Sequence, residues 1–125
     1  MKGYVGQIED LTLANKYFRQ VIFTGKHQQL VLMSLKPGED IGSEIHPHTD
    51  QFFRFEKGHG KVIIDGVENP VSDGDAVIVP AGTKHNIINT SQTEDLKLYT
   101  IYSPPNHPDR TVHQTREIAM KHEDH

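Results

Sequence analysis

Cysteine is absent from the 125-residue sequence. Disulfides, thiolate nucleophiles and cysteine-type zinc sites are therefore excluded, and any bound metal must be held by nitrogen and oxygen. The chain also lacks a run of lysine and arginine interleaved with aromatic residues. With a formal net charge of -4, it is not expected to bind a phosphate backbone, so nucleic acid is not an expected partner. No apolar stretch is long enough to span a bilayer, and the N-terminal MKGYVGQIEDLTLANKYF has no apolar core of the kind a secretory signal needs. The expectations are a cytoplasmic location and no membrane association. Tandem repeats, low-complexity tracts and heptads are missing too, and the length fits one compact domain over 1–125.

Short strands bounded by turn signals fill the middle of the chain. Residues 1–16 have scattered apolar positions and two glycines, which predicts an irregular or edge-strand entry. Tyr17 to Thr24 and Gln29 to Leu35 are rich in aromatic and β-branched residues and flank Gly25-Lys26-His27, the pattern of a β-hairpin. Further strands are expected over Ile41 to His48, Gln51 to Glu56, Lys61 to Asp65, Val67 to Val71, Asp75 to Val79, Lys84 to Asn89 and Leu96 to Tyr102. Asp65-Gly66 and Asp73-Gly74 are each two-residue hairpin signals. Strands recurring at this spacing predict an all-β sandwich or barrel over about 17–102. Beyond them, 103–125 reads as a proline-rich exit loop and one short helix with Thr115 as its N-cap.

Nine histidines are present, and their placement carries the chemistry. On a strand, Glu44, His46 and His48 all project to one face, giving a row of three potential metal ligands. His113, His122 and His125 lie in the polar C-terminal stretch, where a solvated tail is expected, and His107 is read the same way, the alternative being that His107 and His113 close over the barrel as a lid. His27 and His59 fall in turns and are expected to be exposed. Asp50, next to Gln51, is expected to face away from it and tie the strand to a neighbour.

Two spaced patterns can be read together. Gly38 is followed after five residues by Glu44-Ile45-His46, after four more by Gln51 and after six more by Gly58; Gly74 is followed after five residues by Pro80, then Gly82, His85 and Asn89. These resemble the two motifs of the cupin superfamily, G-x5-H-x-H-x3,4-E-x6-G and G-x5-P-x-G-x2-H-x3-N. The chain is similar to small single-domain microbial cupins of the mannose-6-phosphate-isomerase-like type. The second motif matches at every specified position, the first at its glycines and one histidine.

The resemblance implies a jelly-roll β-barrel of two antiparallel sheets, with a short C-terminal helix here, and one divalent metal ion, Mn, Fe, Zn or Ni, inside the barrel. Carried over residue by residue, it places the metal ligands at Glu44, His46, Gln51 and His85, so a carboxylate replaces one imidazole and an amide replaces the carboxylate. His48 remains an alternative or additional ligand, and whichever of His48 and Glu44 does not bind the metal is the candidate catalytic acid or base. Phe53, Phe55 and Ile87 share parity with the ligand positions and are expected to line an apolar pocket. Tyr99 and Tyr102 lie on opposite faces of the last strand, so at most one faces the cavity. A small-molecule ligand or substrate is the expected partner. The activity expected is a metalloenzyme of isomerase, lyase or oxygenase type, or alternatively a non-catalytic ligand-binding or sensing module. Unpaired sheet edges lead to the further expectation of a homodimer.

Overall fold

The structure, a computed structural model, describes residues 2–122. Nine strands form two antiparallel sheets. They are β1 (Arg19–Thr24), β2 (Gln29–Leu35), β3 (Asp50–Lys57), β4 (His59–Ile64), β5 (Val67–Ser72), β6 (Ala76–Val79), β7 (His85–Asn89), β8 (Leu96–Ser103) and β9 (Val112–His113). The larger sheet runs β6-β3-β8-β2-β1-β9 and the smaller β5-β4-β7. The expected jelly-roll barrel is therefore present. Its inner faces are built by the period-2 alternation visible in β3, β7 and β8, where Phe53, Phe55, Ile87 and Leu98 are fully buried. No helix among the described residues is long and apolar enough to cross a membrane.

The β1–β2 hairpin forms as expected, and Asp65-Gly66 closes β4 onto β5 with both residues at positive φ, 49° and 79°. Asp73-Gly74 does not close a hairpin. It carries the chain from β5 in the small sheet to β6 in the large one. The irregular entry expected at the N-terminus is also corrected. Ile8–Ala14 is a helix, α1, with Glu9 and Asp10 in its first turn, where carboxylates complement the helix dipole. It packs over β8, β3 and β2 and explains why Leu32 and Ser34, on the outer face of β2, are nonetheless buried.

The expected strand over Ile41 to His48 is replaced by an irregular segment that follows β7 through two isolated bridges, Asp40 to Ile88 and Glu44 to His85. Gly42 at φ +103° takes a conformation closed to strands of other residues, and Pro47-His48 form a turn before β3. The row of Glu44, His46 and His48 on one strand face is thereby broken. Helix α2 (Arg116–Lys121) is the expected C-terminal helix, and the Thr115 side chain accepts a hydrogen bond from the Ile118 amide as its N-cap.

Candidate metal centre

The inward rows of β3 and β7 carry apolar core side chains and end, toward the site, in a polar one. In β7 the row Asn89, Ile87, His85 is buried throughout; in β3 it runs Phe55, Phe53, Gln51. His85 and Gln51 thus stand where core side chains stop. Glu44 joins them through backbone geometry. Its amide donates to the His85 carbonyl and the His85 amide to the Glu44 carbonyl, each at 2.9 Å. Residues paired this way in an antiparallel ladder send their side chains to the same face. His46, two residues on, is held by a hydrogen bond from the Gly82 amide to its carbonyl, at 2.8 Å.

Each side chain is aimed. Nδ1 of His85 lies 3.0 Å from the Thr83 carbonyl oxygen. A carbonyl only accepts, so Nδ1 carries the proton and Nε2 presents its lone pair. Burial lowers the His85 pKa, and neighbouring His46 lowers it further, against the opposing pull of the Thr83 carbonyl and Glu44. The ring is therefore neutral at pH 7. The Gln51 amide nitrogen donates to Thr100 Oγ1 at 3.0 Å, which orients the amide and commits Oε1 to acceptance.

Nε2 of His46, Nε2 of His85 and Oε1 of Gln51 are all buried without a hydrogen-bond partner. Buried polar atoms left unmatched cost stability, so three in one region call for a common partner. Ligand atoms of Glu44, His46 and His85 lie within 4.8 Å of one another, and Glu44 Oε1 is 3.6 Å from His46 Nε2, too far for a hydrogen bond. The imidazole rings of His46 and His85 are 5.5 Å apart, centre to centre. Two imidazoles, one carboxylate and one amide oxygen form a donor set suited to a divalent transition metal.

His48 stands apart, exposed in the turn after Pro47. Phe53, Phe55 and Ile87 are fully buried among the core side chains, with the Phe53 ring 6.1 Å from that of His85. Tyr102 is the inward tyrosine, its ring edge-on to His46 at 5.8 Å. His27 and His59 are exposed, and Asp50 Oδ1 accepts from the Ala81 amide at 2.8 Å, as expected.

The C-terminal stretch is not a solvated tail. Gln29, fully buried, grips its backbone: Oε1 accepts from the amides of Asn106 and His107 at 3.1 and 2.9 Å, and Nε2 donates to the His107 carbonyl at 2.8 Å. This strap brings His107 and His113 onto a cavity of about 530 Å³ that also has Arg19, Glu44 and His46 in its wall. His107 Nε2 lies 3.2 Å from the Tyr102 hydroxyl, and burial, reinforced by Arg19, His113 and His46, lowers its pKa to about 3. His122 stacks on His113, with ring centres 5.5 Å apart. His125 lies outside the described residues.

Sequence reasoning missed Arg19. It is buried, lines the cavity, and places Nη1 3.2 Å from His113 Nδ1. The available signal was its parity with Val21 in an otherwise apolar strand, which puts a guanidinium on the inward face. Nothing in the sequence pattern marked Asn106 and His107, because loop residues have no period to read.

A model of the cupin domain family matches residues 31–102. The chain is 50% identical over 129 aligned residues to the uncharacterized protein YrkC of Bacillus subtilis, an alignment covering 98% of this chain and 69% of that one. It is 52% identical over 109 residues to the uncharacterized protein L612 of Acanthamoeba polyphaga mimivirus, covering 84% and 68%. The crystal structure of a Bacillus halodurans protein superposes with a TM-score of 0.93 at 48% identity, over 96% of this chain and 95% of that one.

Proposed function

The chain belongs to the cupin domain family, and on that basis we propose that it is a metal-dependent enzyme of isomerase, lyase or oxygenase type, acting on a small molecule in the cavity between Glu44 and the C-terminal strap. The observation that carries the metal is the trio of buried polar atoms without a hydrogen-bond partner, Nε2 of His46, Nε2 of His85 and Oε1 of Gln51, with Glu44 beside them. These four residues would hold one divalent ion. With a single carboxylate among them, the ligand shell leaves one positive charge on the centre.

When bound, the ion supplies Lewis acidity to an oxygen of the substrate. The protein does the remainder. The Thr83 carbonyl keeps the His85 proton on Nδ1, and Thr100 fixes the Gln51 amide. The strap forms one side of the cavity, and its His107 sets an imidazole beside the Tyr102 hydroxyl. The wall of this cavity includes Glu44 and not His48, and Glu44 is assigned to the metal. The likeness to mannose-6-phosphate-isomerase-like cupins bears on fold and leaves the substrate open.

Elemental analysis of the protein after metal reloading tests this reading. It predicts one equivalent of a divalent transition metal, lost in His46→Ala. A protein that retains no metal, or a His46→Ala variant that retains it fully, contradicts it.

The homodimer is likewise a proposal. Cross-strand pairing aligns Ile78, Phe52, Ile101, Leu30 and Phe23 in one apolar row across the outer face of the large sheet, and Ile78, on edge strand β6, is 67% exposed. A second copy covering that row and edge would bury it. Light scattering that gives the mass of a monomer at tens of micromolar rules the dimer out.

A further inference from the structure

We propose that Arg19 is a positioning residue: it holds His113 as a neutral imidazole with its proton on Nε2, and that N–H receives an acceptor oxygen of the ligand. This rests on the placement of the small molecule in the cavity between Glu44 and the strap. Strand pairing brings the two side chains together. Arg19 stands opposite His113 in the register of β1 and β9, and residues paired in this way send their side chains to one face. Nη1 of Arg19 lies 3.2 Å from His113 Nδ1. A guanidinium has donors and no acceptor and stays protonated throughout the physiological range, so His113 Nδ1 accepts. A neutral imidazole that accepts at one nitrogen carries its proton on the other. Burial, Arg19 and His122 all lower the His113 pKa, in keeping with an uncharged ring.

The second nitrogen is left open. Among the described residues, Nδ1 carries the ring's one hydrogen bond. Nε2 is not among the buried polar atoms that lack a partner, where Nε2 of His46 and of His85 both stand. It is therefore accessible on a ring that lines the cavity. The His122 ring lies parallel to that of His113 to within 5°, with centres 5.5 Å apart, so stacking and the bond from Arg19 hold the imidazole together. His85 gives the contrast. There the Thr83 carbonyl accepts from Nδ1 and leaves Nε2 a lone pair for a cation. At His113 a guanidinium occupies the lone pair and leaves Nε2 a hydrogen. Arg19, 1% exposed, thus acts on the cavity through His113 without touching the ligand. The strap side of the cavity donates, which favours a carbonyl or carboxylate oxygen there over an ammonium group.

Long-range proton–nitrogen NMR on isotope-labelled, chelator-treated protein tests this, and a failure to load metal leaves the test standing. The inference predicts an unprotonated Nδ1 and a protonated Nε2 at His113. Arg19→Lys, which also only donates, should keep that pattern, whereas Arg19→Met should shift both nitrogens toward an average of the two tautomers. If Arg19→Met does not fold, the parent protein and Arg19→Lys decide. A proton on Nδ1 of His113 in the parent protein, or an unchanged pattern in Arg19→Met, overturns the inference. Acetone and acetate, acceptors of nearly one shape, then separate a neutral ligand from an anionic one. The inference predicts that at least one of them moves the Nε2 proton of His113 downfield, and does so less in Arg19→Met. A signal that neither moves, at any concentration that preserves the backbone spectrum, overturns the ligand assignment.

Discussion

Glu44 and His85 exchange both of their backbone hydrogen bonds, at 2.9 Å in each direction, although Glu44 belongs to no regular strand. This pairing sets the carboxylate and the imidazole on the same face, and the chain turns away only at Pro47 and His48, beyond His46. Glu44 is thereby placed with His46 and His85, and His48 is left in solvent.

Glu44→Gln should therefore weaken divalent-metal affinity at least about tenfold, whereas His48→Ala should leave it unchanged. Competition against a chromophoric chelator reads both. Comparable losses in the two variants would refute the assignment.

The segment bearing Glu44 is itself braced. Arg116 donates from Nη2 to Asp40 Oδ1 at 2.7 Å and from Nε to the Asp40 carbonyl at 2.8 Å; Asn86 donates to Asp40 Oδ2 at 2.9 Å and accepts from the Gly42 amide at 3.0 Å. Arg116→Ala should cost about 1 kcal/mol in urea unfolding, since the pair is only half-buried, and should lower metal affinity as well. An affinity that survives loss of this brace would show that the Glu44–His85 pairing needs no help from α2.

Much of this was legible in the sequence. Period-2 alternation marked the strands from β1 to β8, and the resemblance of Gly38 to Gly58 and Gly74 to Asn89 to the two cupin motifs implied the set Glu44, His46, Gln51 and His85. Alternation failed where backbone geometry overrode it. Gly42 and Pro47 broke an expected strand, and the turn at Gly74 crossed between sheets. The strap was illegible for a different reason: it is held by the Gln29 side chain across a separation of 78 residues, and a tertiary contact of that range leaves no local pattern. Arg19 was hidden in plain view, because a single charged residue in a strand is ordinarily an exposed one.

Gln29 offers a direct test of the strap. Gln29→Leu removes its hydrogen bonds to Asn106 and His107 while filling the same space, and strands their backbone amides; the expected loss is about 1–3 kcal/mol. Hydrogen exchange at those two amides should accelerate more than exchange in β8. A uniform change across the molecule would mean that the strap does not open separately.

His107 gives the metal-free protein a defined pH dependence. Its folded pKa of about 3 lies below the unfolded value near 6.5, so the unfolded state binds the extra proton between them. Stability contributed by neutral His107 is complete above about pH 6.5 and is lost as pH falls toward 3. Thermal melts from pH 7 to pH 4 should decline more steeply for the parent protein than for His107→Gln. Parallel profiles would contradict this.

The central claim is that two imidazoles, one carboxylate and one amide oxygen share a metal. Anomalous scattering from crystals of the zinc-loaded protein tests it most directly. The account predicts one strong peak about 2.0–2.2 Å from Nε2 of His46, Nε2 of His85 and an oxygen of Glu44, with Gln51 Oε1 facing it. A peak bound by His48, or one seated at His113 and His122 with none at His85, would contradict it.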